Sequence, residues 1–428
     1  MGPHNLSNIV NLPPKKLSLI FICLERTKDR QRLAQTHPVL RRAFALYAAD
    51  RYQLIDFESL PTENWPFIFS ACGSNVKGIM SSMAKNAVAA VKLAAKHCPN
   101  LEELFISIQS KYWDKLKPLL VKLKALKDLR LMNDYTPIDL MNTLLELPEV
   151  TTLQLFRFKR EDLIPVKYLL QLQNLFIKND EPLNLYGLCA DMAQLESLEV
   201  RNVCISFPAE LIRDPLWPKL KLLNIGIEAI RTEMPYLPRL RILHIEFSPE
   251  MELGKLFGRS VSGYSNSLQV LRLYSDEIGP SHANNAKAIG QLKSLKLLIC
   301  SNLNNTYLQF IKLDQLQKVI VQSSNNVTNS GVLRLLRGCR NLRTLDVSGC
   351  RRVNQNVVGP LIKILQHNGV QPDNPMVLTV QLKSFGEVPT TATDPNYNLL
   401  FIKICENFTC ERPFTVPDPP FDIEYYWD

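Results

Sequence analysis

Residues 341–350 read NLRTLDVSGC, and this stretch carries the pattern that decides the fold. Apolar side chains stand at Leu342, Leu345 and Val347, separated first by two residues and then by one. The spacing of the second pair suits a β-strand, because alternate residues of a strand point to the same face. The pattern therefore predicts a short strand with one face in a core and the other face outside it.

The same apolar triplet recurs along most of the chain. Its weaker copies are Leu101/Leu104/Ile106, Leu126/Leu129/Leu131, Val150/Leu153/Leu155, Leu172/Leu175/Ile177, Leu195/Leu198/Val200, Leu220/Leu223/Ile225, Leu240/Leu243/Ile245, Leu268/Leu271/Leu273, Leu295/Leu298/Cys300, Leu316/Val319/Val321, Val377/Val380/Leu382 and Leu399/Ile402/Ile404. Successive copies lie about 20 to 28 residues apart, with one longer gap before Val377, which is the spacing of leucine-rich repeats. Between copies, residues 85–98 and 329–339 show helical periodicity. The chain is predicted to be an α/β solenoid, with a curved parallel sheet and with helices and loops on the convex side.

Composition narrows the class of protein. The chain has 428 residues, 46% of them hydrophobic, and stacked repeats share one core, so the length does not require several separate domains. The net charge of +9 is spread without a run of five like charges, which favours solubility over nucleic-acid binding. We expect no nucleic-acid partner.

The ten cysteines contain no CxxC pair, and several occupy apolar or turn positions of the repeat. This usage is typical of free thiols in a reducing compartment and argues against a metal site. No secretory start and no apolar stretch of about 18 residues is found. The expected location is cytoplasmic and/or nuclear, without membrane contact.

A search for catalytic motifs is negative. The six histidines are far apart in sequence, and no phosphate-binding glycine motif or nucleophile elbow occurs. The sequence therefore predicts a protein that is not an enzyme, with no catalytic residue, no metal and no cofactor.

Residues 12–48 follow a different pattern from the repeats. Leu17, Ile20, Phe21 and Leu24 are spaced to lie on one face of a short helix that begins near the prolines at 13 and 14, and two or three short helices follow. About 35 residues of helix cannot build an adequate core alone. We therefore expect this module to need a partner.

The segment resembles an F-box. Its Leu12-Pro13 dipeptide matches the opening of that motif, and Leu40-Arg41-Arg42 stands where the family often has a tryptophan and two basic residues. Further matches are Leu17, Ile20-Phe21, Leu24, Lys28-Asp29 and Leu33. Residues 327–350 resemble the cysteine-containing leucine-rich repeat that is common in F-box proteins.

The resemblance implies a non-catalytic substrate receptor of an SCF-type cullin-RING ubiquitin ligase. Its N-terminal helices would bind a Skp-type adaptor, and through it a cullin, while the repeats hold a target protein. The implied adaptor-binding residues are Leu12, Pro13, Leu17, Ile20, Phe21, Leu24, Leu33 and Leu40. The alternative is a leucine-rich-repeat scaffold or inhibitor unconnected to ubiquitin, whose helices merely cap the stack.

The predicted organisation has five parts. They are a flexible N-terminus at 1–11, the F-box-like module at 12–48, a linker and N-terminal cap at 49–98, the repeat solenoid at 99–383, and a C-terminal cap or tail at 384–428. The aromatic-rich segment 45–76 is either a capping layer or an aromatic pocket. Residues 413–428 are either a strap laid along the solenoid or a partner-binding peptide.

Target binding is expected on the concave side, through residues that alternate with the core positions. These residues are Phe105, Arg130, Gln154, Phe156, Phe176, Glu199, Arg201, His244, Arg272, Tyr274, Ile299 and Ile320, with Asp346 and Gln381 in the last repeats. Two apolar clusters stand out, namely Phe105/Phe156/Phe176 and Leu297/Ile299/Ile320. They are either partner-binding sites or surfaces covered by a loop or the C-terminal tail.

Overall fold

The computed structural model describes residues 9–208, 216–247, 252–274, 282–322, 324–385 and 397–405. The chain divides into two compact units, Met1–Asn179 and Asp180–Asp428. The predictions for residues 1–8 of the N-terminus and for the tail from residue 406 lie outside the described residues.

The first unit begins with three short helices, α1 (Pro14–Cys23), α2 (Thr27–Thr36) and α3 (Pro38–Tyr47). Proline occupies the first turn of α1 and of α3, where its fixed φ suits the helix and its missing N–H costs nothing. All three helices lie within residues 12–48.

The rest of the first unit is a parallel sheet with helices between its strands. The strands are β1 (Leu54–Asp56), β2 (Gly78–Ser81), β3 (Glu103–Ser107), β4 (Asp128–Met132), β5 (Thr152–Phe156) and β6 (Asn174–Lys178), paired in chain order. The helices are α4 (Trp65–Cys72), α5 (Ala84–His97), α6 (Ser110–Leu120), α7 (Met141–Leu145) and α8 (Arg160–Leu163). Since β1 and β2 already belong to the sheet, the sheet starts before the predicted boundary at residue 99. Around β2 the polar Ser81 stands where the third apolar residue would follow Val76 and Ile79, so the triplet is incomplete there.

The second unit continues the same architecture. Its strands are β7 (Leu183–Asn184), β8 (Ser197–Ile205), β9 (Leu222–Ile230), β10 (Ile242–Phe247), β11 (Val270–Tyr274), β12 (Leu297–Ser301), β13 (Lys318–Gln322), β14 (Thr344–Asp346), β15 (Met376–Gln381) and β16 (Leu400–Cys405). Its helices are α9 (Leu185–Cys189), α10 (Leu253–Phe257), α11 (Val261–Ser267), α12 (His282–Ile289), α13 (Asn305–Phe310), α14 (Asn329–Gly338), α15 (Val358–His367) and α16 (Leu382–Phe385). From β8 to β16 each described strand pairs in parallel with the next, and β7 pairs with β8. The predicted leucine-rich-repeat fold is confirmed, and the sheet extends past residue 383.

The apolar triplets form the core. Leu104, Leu223 and Leu345, which are middle members of three triplets, are almost completely buried. Two such side chains bury far more apolar surface together than either could alone, which is why repeats of this kind stack.

The last long repeat differs from the prediction. Leu345 pairs with Leu378, so the core residues of β15 are Met376, Leu378 and Val380 rather than Val377, Val380 and Leu382. The strand MVLTVQ carries apolar residues on both faces, and alternation alone could not determine its phase. Thr379, not Gln381, therefore lies beside Asp346.

The aromatic segment at 45–76 packs as a layer at the beginning of the sheet. Phe57 lies between Trp65 and Phe69, with ring centroids 4.4 and 5.4 Å away, and the Trp65 indole N–H donates to the Leu60 carbonyl at 3.0 Å. Phe57 and Phe69 are fully buried. This arrangement favours the capping layer over an aromatic pocket.

Buried thiols are spread through both units. Among the described residues, nine cysteines are free and six of them are buried. Burial raises the pKa of Cys98 to about 12, so this thiol is held in its unreactive form.

None of the described helices combines the length and apolar character that crossing a bilayer requires.

Two helical glycines of the second unit provide a matched test of the packing. A Cβ added at Gly338, which ends α14, would lie 2.6 Å from the Ile311 carbonyl oxygen, whereas one added at Gly359 in α15 would meet nothing within 4 Å. We expect Gly338→Ala to lower the free energy of unfolding by about 1 to 3 kcal/mol, and Gly359→Ala to raise it by up to about 1 kcal/mol. Denaturant unfolding followed by circular dichroism measures both, and equal effects of the two changes would contradict this packing.

Candidate protein-interaction surfaces

The helical module has its own small core. The Phe21 ring lies 5.5 Å from Phe44 and 5.9 Å from Tyr47, and Leu17, Phe21 and Phe44 are fully buried. The Arg30 Nε donates to the Phe21 carbonyl oxygen at 3.0 Å, and its guanidinium lies 5.3 Å from the centre of the Tyr47 ring. These contacts hold α1, α2 and α3 together.

This core changes the interpretation of the predicted adaptor-binding residues. Leu17, Phe21 and Leu40 are buried inside the module, where a partner cannot reach them while the module is folded. Half-buried positions are Ile20, Leu24 and Leu33, and exposed positions are Leu12 and Pro13. The adaptor role of the accessible residues stays a prediction.

The accessible apolar surface of α1 is one that the sequence reasoning missed. Leu19 is 59% exposed and Ile22 is 63% exposed, although both are large aliphatic residues. They are three residues apart, so they lie on the same side of the helix, away from Leu17 and Phe21. The run LSLIFI has apolar residues on both faces, and only the tertiary structure shows which face is inside. We call Leu19 and Ile22 the α1 patch.

The module is attached to the repeats of its own unit through α3. Phe44 lies 5.4 Å from Phe67 of α4, and the Arg41 guanidinium lies 5.8 Å from the Phe67 ring. Arg41 also donates to the Ser70 hydroxyl, and the Asn75 amide donates to the Ala45 carbonyl at 3.1 Å. Because α3 makes the attachment, the α1 patch remains accessible.

The sheet has a second surface of interest, which we call the outward face. It consists of strand residues that alternate with the core residues, and it is described for each unit separately. In the first unit the strand register aligns Phe105, Arg130, Gln154 and Phe176 in one row. Phe105 is three strands away from Phe176, so the predicted cluster of three phenylalanines does not form.

Two of those phenylalanines do meet. The rings of Phe156 and Phe176 lie 5.1 Å apart, and Phe156 aligns with Met132 on one side and with the exposed Lys178 on the other. Phe156 itself is half-buried, so part of its ring is available to a partner. We call Phe156 and Phe176 the phenylalanine pair.

The positive charge beside this pair is partly neutralised. The Arg130 Nη2 lies 2.9 Å from the Asp128 Oδ2 of the same strand, and both side chains are mostly buried. This geometry holds the guanidinium against the sheet. The outward face of the first unit therefore offers an aromatic patch flanked by the exposed Lys178.

In the second unit, the central outward row from β8 to β11 is polar, with Glu199, Asn224 and His244 buried and Arg272 half-buried. Glu199, Asn224, His244 and Arg272 follow one another in register, and the Asn224 amide donates to the Glu199 Oε2 at 2.8 Å. Burial raises the pKa of Glu199 to about 7, while burial together with the charge of Arg272 lowers the pKa of His244 to about 3. Glu199 and His244 are two strands apart, roughly 10 Å, too far for direct proton transfer.

A row of apolar residues runs beside the polar one. It consists of Leu222, Ile242, Val270 and Leu297, which align in register at the first outward position of β9 to β12. Ile299 and Ile320 pack against this row. We call the four aligned residues the apolar row.

Sequence reasoning found only part of this surface. Leu297, Ile299 and Ile320 were expected as a cluster and do lie together, but Leu222, Ile242 and Val270 were missed. The sequence does contain a signal for these residues. The residue just before the middle member of the triplet is also apolar, as in Leu222-Leu223. Of the remaining predicted residues, Arg201 is half-buried in the middle of β8, and Tyr274 is half-buried at the carboxyl end of β11.

Comparison with known proteins does not assign the chain to a family. No protein-family model matches the chain, and no curated protein matches it. The Rad7 and Elc1 complex of yeast is similar in structure, with 15% identity, a TM-score of 0.39, and 91% of this chain and 92% of that chain covered. An internalin (inlF) from Listeria monocytogenes str. 4b F2365 is similar with 13% identity, a TM-score of 0.40, and 94% and 100% of the two chains covered. Similarity at this level supports no inference about partners.

The burial of Glu199 predicts that the free energy of unfolding depends on pH. Its folded-state pKa of about 7 exceeds the ordinary value of 4.5, so between these pH values the folded chain keeps a proton that the unfolded chain releases. Stability due to this group is therefore lost as pH rises from about 4.5 to 7. We expect Glu199→Gln to raise the free energy of unfolding at pH 8 by on the order of 3 kcal/mol, and to change it little at pH 5.

Thermal unfolding followed by circular dichroism at pH 5 and pH 8 measures this effect. Glu196→Gln is the matched control, because Glu196 is half-exposed and pairs with Lys221 at 2.6 Å, so we expect a change below about 1 kcal/mol. An equal effect of Glu199→Gln at both pH values would contradict the buried carboxyl.

Proposed function

We propose that this protein is a non-catalytic substrate-recognition subunit of an SCF-type ubiquitin ligase. In this proposal the N-terminal helices bind a Skp-type adaptor, and through it a cullin, while the outward face of the repeats binds the target protein. The observation that carries the proposal is the α1 patch, which lies within an F-box-like sequence and outside the module's own core. Free, buried thiols fit work in the reducing cytoplasm or nucleus.

The α1 patch is suited to a protein partner. Leu19 and Ile22 are both more than half exposed, and burying such a side chain fully stabilises a complex by about 1.5 to 3 kcal/mol. Leu12 is also exposed just before the helix. An adaptor that covered these three residues would gain several kilocalories per mole without disturbing Leu17 or Phe21.

The phenylalanine pair is the proposed target-binding site of the first unit. Aromatic side chains in a shallow patch are typical anchors of protein interfaces, and Lys178 at the edge would favour a carboxylate or a polar group on the target. Such an assembly accelerates ubiquitin transfer by proximity, because it raises the local concentration of target lysines near the charged conjugating enzyme. No residue of this chain takes part in the chemistry.

A second candidate function is a repeat scaffold or inhibitor unconnected to ubiquitin. The observation that favours it is the attachment of α3 to α4 through Phe44 and Phe67, because a capping module would be held in this way. The two functions differ in what the α1 patch does. A receptor uses it to bind the adaptor, whereas a cap leaves it in solvent.

The α1 patch can be tested by a double substitution. We expect Leu19→Gln with Ile22→Gln to reduce capture of a co-expressed Skp-type adaptor at least about tenfold, because two apolar contacts are lost. Quantitative affinity capture from cells that express both chains measures this loss. The unfolding midpoint should stay unchanged, since neither residue is in the module's core.

Leu145→Gln is the control, because Leu145 is an equally exposed leucine in α7. Adaptor capture that survives the double substitution would reject the α1 patch as the interface. A wild-type chain that captures no adaptor would reject the ligase proposal in favour of the scaffold.

The phenylalanine pair predicts a separable effect. We expect Phe156→Ala to reduce co-purification of target proteins at least about tenfold while adaptor capture is unchanged, because the removed ring is a partly exposed anchor. Quantitative mass spectrometry of material captured with wild-type and variant chains measures both. Tyr168→Ala, at an exposed tyrosine of the same unit, should leave the captured set intact, and an unaltered set with Phe156→Ala would contradict this site.

A further inference from the structure

The apolar row of the second unit is buried, although it lies on the outward face. Leu222 is 5% exposed, Ile242 is 2% exposed, and Val270 and Leu297 are each 1% exposed. At the corresponding position of β3 to β6 in the first unit, Glu103, Asp128, Thr152 and Asn174 are all at least partly exposed, whereas Gly78 of β2 is buried. The near-complete burial of four large aliphatic side chains, at a position that is partly exposed on β3 to β6, indicates that a further segment lies over the apolar row.

We propose that residues 406–428, the C-terminal segment of the same chain, cover the apolar row. The inference goes beyond the proposed function and does not depend on the adaptor. Three properties of the segment support this placement, namely its composition, its charge and its reach.

The composition of the segment fits an apolar surface. Residues 413–428 read PFTVPDPPFDIEYYWD and contain five aromatic residues and Ile423. Four prolines restrict the backbone and reduce the entropy that docking would cost. An extended segment of this kind can place aromatic rings along a row of aliphatic side chains that are spaced about 4.8 Å apart.

The charge of the segment complements the surface around the row. Residues 413–428 carry four carboxylates and no lysine or arginine. Lys318 continues the row on β13, and Arg272 stands between His244 and Ile299 in the central row. Both basic side chains are half-buried, so a carboxylate beside them would be shielded from water and its attraction strengthened.

The segment is also long enough. β16 ends at Cys405, and 23 residues follow it. The distance across the sheet from β16 back to β9 is seven strand-to-strand spacings, or about 34 Å. By comparison, 23 extended residues span roughly 75 Å. The segment can therefore run the whole length of the apolar row.

Three other segments outside the described residues, 248–251, 275–281 and 386–396, fit less well. Residues 248–251 and 275–281 follow the carboxyl ends of β10 and β11, whereas the apolar row lies at the amino ends of its strands. Residues 386–396 read GEVPTTATDPN, which contains no aromatic residue and one large aliphatic residue. None of these three segments supplies enough apolar surface at the correct edge of the sheet.

Coverage of the row has a consequence for binding. A target that uses the outward face from β9 to β13 must first displace the C-terminal segment. The favoured competitor is an extended peptide with aromatic and acidic residues, because it would repeat the chemistry of the displaced segment. The phenylalanine pair of the first unit is not part of this competition.

Photo-crosslinking in the full chain tests the placement. Ile320, half-buried against the row, is replaced by p-benzoylphenylalanine, and the irradiated protein is digested and mapped by mass spectrometry. We expect crosslinks from position 320 to peptides within 406–428. The same photoreactive residue at the exposed Tyr168 of the first unit is the control and should give no such product.

Mixing isotopically labelled and unlabelled copies separates crosslinks within a chain from those between chains. Products that join position 320 only to other segments, or only to a second copy, would overturn the proposal. Adaptor capture measured on the same variant should be unchanged, so failure of the ligase proposal and failure of this one are distinguishable.

A binding measurement gives an independent test. A fluorescent peptide of residues 413–428 should bind a chain that ends at residue 405 at least about tenfold more tightly than it binds the full chain, since the tethered segment competes at high local concentration. The peptide carrying Phe421→Ala and Trp427→Ala should lose this binding. If the shortened chain does not fold, the full chain with Phe421→Ala and Trp427→Ala replaces it. Equal peptide binding to altered and wild-type chains, or none to either, would overturn the proposal.

Discussion

The structure depends on the burial of one leucine or equivalent apolar residue from every strand against its neighbours. Leu104, Leu223 and Leu345 occupy this position in three repeats and have almost no exposed surface. A shift of one residue in the pairing would bring the outward residues into the core and the leucines into solvent, so the register is strongly specified. Because the core positions carry the stability, the outward positions are free to differ between repeats.

The two units use this freedom differently. In the first unit the outward face presents polar residues together with the phenylalanine pair, and much of it is accessible. In the second unit the same positions hold the apolar row and the buried Glu199, whose ionisation is opposed by the loss of water around it. A single pattern of strand pairing thus supports one surface ready for a partner and another that is already covered.

The N-terminal module is the part most closely connected with the proposed function. Its small core around Phe21 and Phe44 is completed by the contact of α3 with α4, so it does not stand alone. That attachment leaves the α1 patch in solvent, where two aliphatic side chains cost the chain solubility unless a partner covers them. The geometry explains how a module of three helices can be held firmly by the repeats and still present an apolar surface.

The sequence by itself determined the repeat fold, the positions of most strands and the helices of the N-terminal module, because each of these depends on local periodicity. Only the tertiary structure decided which face of α1 is buried, since LSLIFI is apolar on both sides. Leu17 and Phe21 are buried in the module, whereas Leu19 and Ile22 are exposed. It also set the phase of β15, where Leu378 rather than Val380 pairs with Leu345, and it revealed the burial of Leu222, Ile242 and Val270. Periodicity shows which residues share a face, but what that face meets depends on segments that are distant in sequence.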